Sequence, residues 1–145
     1  MSRPRKILLS GGAVLVATFA LLQLRPVERT NPPVISDVGA PAEVDTILRR
    51  SCYDCHSHET RWPWYSHVAP MAWFVADHVE HARSDLNFSN WPAFDFQAQR
   101  HAFDDIRHQL ETGKMPLASY LILHPSARLS EEDRALLLRW AGVSQ

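Results

Sequence analysis

The chain has 145 residues and a folded-protein composition, 46% hydrophobic and 21% charged, so it accommodates one domain with a modest core and not two ordinary ones. Three of its fifteen basic residues and none of its sixteen acidic ones fall within the first 24 positions, leaving 12 basic against 16 acidic beyond them. A net −4 without a basic stripe is the wrong sign for a nucleic-acid partner, and that class is set aside.

The basic flank, residues 1–6, carries Arg3, Arg5 and Lys6 and runs into the charge-free segment ILLSGGAVLVATFALLQL, residues 7–24. As a helix those eighteen residues rise roughly 27 Å, close to the hydrocarbon thickness of a bilayer. The flank is expected in the cytoplasm and the remainder on the far side of a bacterial inner membrane. The apolar run exceeds a typical signal core and no A-x-A site follows, which favours a retained single-pass anchor over a cleaved signal that would leave the protein free in the periplasm. RPVERTNPPV, residues 25–34, reads as a Pro-rich linker.

Beyond the linker the pattern is that of helices between proline-marked loops, and the fold class is all-α. Residues 41–50 start with Pro41 at a first helical position and set Val44, Ile47 and Leu48 on one face. Residues 70–82 are amphipathic, with Met71, Phe74, Val75, His78, Val79 and Ala82 on the predicted inner stripe and Asp77, Glu80 and His81 away from it. Residues 95–113 place Ala102, Phe103, Ile106 and Leu110 on one face and stop at Gly113. Residues 129–142 open with Ser130 and Asp133 in capping-box spacing and bury Leu136, Leu137 and Trp140.

Both cysteines lie in the run CYDCH, residues 52–56. A thioredoxin-like dithiol would follow a strand in a βαβ pattern, whereas here a helix precedes and no strand pattern exists. A closed zinc site needs four ligands, and no second cysteine pair is present. A disulfide across so short a loop gains little entropy and strains its geometry. Covalent haem attachment remains: two thiols for the two vinyl groups of one haem, with the adjacent His56 placed to bind the iron. It also fits export, since c-type haem is attached on the outer face of the bacterial membrane.

The opposite axial position decides function, because a filled one suits electron transfer and an open one admits small ligands. Met115, in GKMPLASY between Gly113 and Pro116, is the first candidate, the plain alternative being a core methionine. His78, on the apolar stripe, is its rival; a core imidazole with a hydrogen-bonded partner is the plainer reading. Trp62, Trp64 and Tyr65 of RWPWYS are candidates for packing on the porphyrin, and Arg61 for pairing with a propionate. Residues 87–89, NFS, match the N-glycosylation pattern, an accidental match for a bacterial protein.

Three blocks, CYDCHSHETRWPWYSHVAP, HVEHARSDLNFSNW and GKMPLASYLILHPSARLSEEDRALLLRW, together resemble the bacterial haem-binding domain family, small exported proteins related to cytochrome c. The resemblance spans residues 35–142. It implies a cytochrome c-like helical fold wrapped around a single covalent haem c, with Cys52 and Cys55 as attachment sites, His56 as proximal ligand and Met115 as the methionine of the M-P motif. His58 departs from it, standing where a small polar residue such as asparagine is expected. The function expected is that of a membrane-tethered periplasmic monohaem c-type cytochrome passing electrons to redox partner proteins. A peroxidase-like haem enzyme or a small-ligand sensor with an open or displaceable sixth position is the alternative.

Overall fold

The computed structural model describes residues 3–91 and 96–143, with side chains described from Gly11. In chain order its helices are α1 (Arg3–Leu22), α2 (Ala42–Ser51), α3 (Tyr53–His56), a 3₁₀ turn (Trp64–His67), α4 (Met71–Asp85), α5 (Phe96–Glu111), α6 (Ala118–Leu123), a second 3₁₀ turn (Pro125–Ala127) and α7 (Glu131–Val143). Among the described residues there is no strand; an isolated parallel bridge joins Ser36 to Asn90. The all-helical expectation therefore holds.

The chain forms two compact units, Met1–Arg29 with Trp62–His78, and Thr30–Arg61 with Val79–Gln145. The second unit holds the main core. Val44, Ile47 and Leu48 of α2 meet Phe103, Ile106 and Leu110 of α5 and Leu137 and Ala141 of α7. These are the faces that the 3.6-residue periodicity marks. An aromatic file runs through them: Tyr53 stacks on Phe88 at 5.2 Å, Phe88 on Trp91 at 6.3 Å, and Trp91 meets Phe103 edge-on at 5.1 Å. Phe88 is 1% exposed, and burial of such a ring stabilises the fold by about 2 kcal/mol.

The ends of these helices follow local rules. Gly113 takes φ +66°, and Lys114 and Gly113 return their N–H groups to the carbonyls of Gln109 and Leu110, the paired closure that favours glycine at that position. At the start of α7 the Ser130 N–H donates to Asp133 at 2.9 Å and the Asp133 N–H donates to Ser130 Oγ at 3.1 Å. Arg50 of α2 then reaches Asp133 at 2.6 Å, joining two helices through one carboxylate. Pro41 is the residue flanking α2 and not its first helical one.

The inner face of α4 differs from the predicted stripe. Ala72 and Val79 are buried, whereas Met71 and Phe74 are 40% and 50% exposed. The last turns are oriented by polar contacts: the carbonyls of Ala82 and Leu86 accept from His56, and the Arg83 side chain donates to Ser57. With Val79, Ala82, Arg83 and Leu86 turned inward at 100° per residue, positions 71, 74 and 78 fall 80–140° away around the helix.

In the first unit, α1 begins inside the basic flank and ends at Leu22, two residues short of the expected segment. Val14, Leu15, Val16, Phe19 and Leu21 are exposed along it. No helix among the described residues is long and apolar enough to cross a membrane; the side chains of residues 7–10, part of the expected anchor, lie outside the described ones. After α1, Gln23 accepts from the Ala69 N–H at 2.9 Å and Arg29 donates to the Ser66 carbonyl at 3.2 Å. The second half of the expected linker belongs to the other unit: the Thr30 carbonyl and Asn31 side chain accept from Arg83, and the Pro33 carbonyl accepts from His58.

Candidate functional site

The CYDCH run forms its own short helix. Cys52 closes α2 by donating its N–H to Leu48, and its carbonyl then accepts from both Cys55 and His56, at 3.1 and 3.0 Å. One carbonyl thus fixes the second cysteine and the histidine against the first. The His56 imidazole lies with Nδ1 3.0 Å from the Ala82 carbonyl and 3.1 Å from that of Leu86. Carbonyls only accept, so Nδ1 carries the proton and Nε2 keeps its lone pair. Burial lowers the pKa of His56 below the ordinary value, with the two carbonyls working against it, and the ring is neutral, as a metal ligand must be.

A cavity of about 310 Å³ opens beside this ring. Leu86, Phe88, Ile106 and Leu110 form its apolar wall, Asp85, Asp105 and Gln109 add polar groups, and Cys52, His56 and Met115 all line it. Met115 comes from the turn after α5, whose direction is set by the Gly113 closure. Two positions far apart in sequence, an imidazole and a thioether, therefore face one space.

No disulfide joins the two cysteines. Burial pushes Cys52 up to about 12, helped by the nearby Cys55, and burial with the Asp54 charge pushes Cys55 up to about 11. A redox dithiol calls for the opposite shift. Among the described residues no group of three or more His, Cys, Asp or Glu side chains is arranged to hold a metal ion.

Arg61 pairs with Asp54 through Nε at 3.1 Å and Nη2 at 3.3 Å, and Asp54 also accepts from Tyr120 at 2.9 Å. Trp62, Trp64, Tyr65 and His78 belong to the first unit. Trp64 is 79% exposed and meets Tyr65 edge-on. The His78 Nδ1 bonds the Phe74 carbonyl at 2.8 Å and its ring lies 4.0 Å from the Phe74 ring. His58 spans the Pro33 carbonyl and the Asn87 amide, so the departure at that position is absorbed by two hydrogen bonds. Asn87, the supposed glycosylation asparagine, is buried with its side chain bonded to His58 and Ser89.

Arg83 escaped the sequence reading. It donates to Ser57 (2.7 Å), Thr30 (2.9 Å), Asn31 (3.0 Å) and Thr60 (2.9 Å), bracing the loop that leaves His56. Its signal was an arginine on the same face as Val79 and Leu86, where a charge stands only if its donors are matched.

Comparison with known protein families matches residues 17–142 to the haem-binding domain. No curated protein and no solved structure matches the chain. A half-buried imidazole with its Nδ1 committed to two carbonyls, and a thioether on the same cavity, make a site suited to haem iron. The chain belongs to the haem-binding domain family and is a haem-binding protein; the matched region begins within α1, earlier than residue 35.

Proposed function

We propose that the protein is a membrane-tethered c-type cytochrome whose single haem is held by Cys52 and Cys55 and ligated by His56 and Met115. One observation carries the reading: Met115 and the Nε2-bearing ring of His56 line the same cavity while His56 Nδ1 is committed to two backbone carbonyls. The bound haem supplies one-electron chemistry. The chain would hold the imidazole in one tautomer and orientation, offer the Met115 thioether on the same cavity, and exclude water there with Leu86, Phe88, Ile106 and Leu110. Asp85 and Asp105 give the cavity an acidic lining, which favours redox partners with basic patches. The exposed apolar side chains of α1 support an inner-membrane anchor, and the basic flank of Arg3, Arg5 and Lys6 favours a haem domain in the periplasm.

The test is an absorption spectrum, oxidised and reduced, of the full chain made with haem-attachment machinery. Haem that survives denaturation and is low-spin in both states, with no carbon monoxide adduct until Met115→Ala is introduced, is the expected result. A high-spin wild type that binds carbon monoxide returns the enzyme or sensor with an open sixth position. Haem lost on denaturation removes the covalent attachment.

A further inference from the structure

A second cavity, about 140 Å³, lies in the first unit immediately after α1. Arg25, Arg29, His67 and Gln23 supply its polar lining, with Leu22 and Val27 among its apolar residues and no carboxylate. Its walls are tied together by the bond of Gln23 to the Ala69 N–H and that of Arg29 to the Ser66 carbonyl. The Arg25 guanidinium lies 5.3 Å from the centre of the Trp73 ring and has no hydrogen-bond or ion-pair partner among the described residues. Arg29 spends one donor nitrogen on Ser66, and His67 is exposed. Glu28, the nearest acid in sequence, is exposed and not part of the lining. Two guanidinium groups with unspent donors thus share a small polar cavity at the end of an apolar helix. Guanidinium matches phosphate oxygens in pairs, and an arginine near an anionic membrane surface gains from its charge as well.

We infer that this cavity takes the phosphate of an anionic lipid headgroup in the leaflet that α1 reaches on the far side of the membrane. The inference rests on the membrane-tether reading and deepens it, because the site lies where the helix leaves its apolar run. Leu22 and Val27 face the glycerol end, and Arg25 and Arg29 hold the phosphodiester.

The haem-loaded full chain in neutral detergent is examined by native mass spectrometry with short-chain phosphatidylglycerol, with phosphatidylcholine of the same chain length, and with inorganic phosphate. One retained phosphatidylglycerol is expected, with its affinity lowered roughly tenfold or more in R25Q/R29Q and unchanged in R128Q/R139Q, which removes the same charge elsewhere. Equal loss in both double variants reduces the effect to net charge and overturns the site. Retention of phosphatidylcholine as strongly as phosphatidylglycerol overturns the anionic preference. Phosphate binding as tightly as the lipid makes this a free-anion site and overturns the headgroup. The tether is tested separately by detergent phase partition: a full chain that stays in the aqueous phase refutes the anchor whatever the mass spectra show.

Discussion

His56 and Arg83 show how a single side chain sets the geometry of the candidate site. The imidazole is oriented by carbonyls near the end of α4, and the loop after it is held by an arginine from the same helix. Arg83→Ala removes four hydrogen bonds from a partly buried network and is expected to cost about 2–4 kcal/mol, read as a lower midpoint in urea denaturation. Arg83→Lys recovers little of this, because one ammonium cannot cover directions served by Nε and both Nη atoms. The shared cavity of His56 and Met115 was legible, because CYDCH is contiguous and Gly113 and Pro116 mark the methionine's turn. The partner of Arg61 was not, since Asp54 lies seven positions back and meets it only once the chain has turned.

At the level of elements, capping rules did more than propensity. The Ser130–Asp133 exchange at the start of α7 was readable from spacing alone, and Ser130→Ala is expected to destabilise the protein by about 1 kcal/mol in chemical denaturation. Asp133 titrates below its ordinary value, chiefly through the Ser130 N–H, with the Arg50 side chain helping. A depressed folded-state carboxyl contributes stability above the unfolded value of 3.8 that is lost as pH falls through the lower folded one. Asp133→Asn is therefore expected to flatten the acid limb of the stability–pH curve below about pH 4 and to leave its alkaline side unchanged. The inner face of α4 was misplaced because hydrophobicity was its only guide, whereas polar contacts at Ala82, Arg83 and Leu86 fix its rotation. The six-residue α6 carries no side-chain cap and buries no residue fully, so neither periodicity nor capping could announce it.

For the whole molecule, the all-helical class and the core of α2, α5 and α7 were visible as three apolar faces of one period. The division into two units was not. The chain leaves the first unit at Arg29 and returns to it for Trp62–His78, a discontinuity that no local pattern records. It also changes what the Pro-rich segment is. Residues 30–33 bond to Arg83, Thr60 and His58 within the second unit, so they are part of a folded body and not a flexible spacer. Anyone cutting the protein free of its N-terminal helix must respect that seam. A fragment begun at Thr30 keeps every one of those bonds, whereas one begun at Ile35, where the motif resemblance starts, strips two partners from Arg83. It is expected to melt earlier by about 3 kcal/mol of lost stability, which paired thermal scans of the two fragments would register. The choice of first residue, four or five positions either way, then decides whether a fragment of this haem-binding protein is worth crystallising.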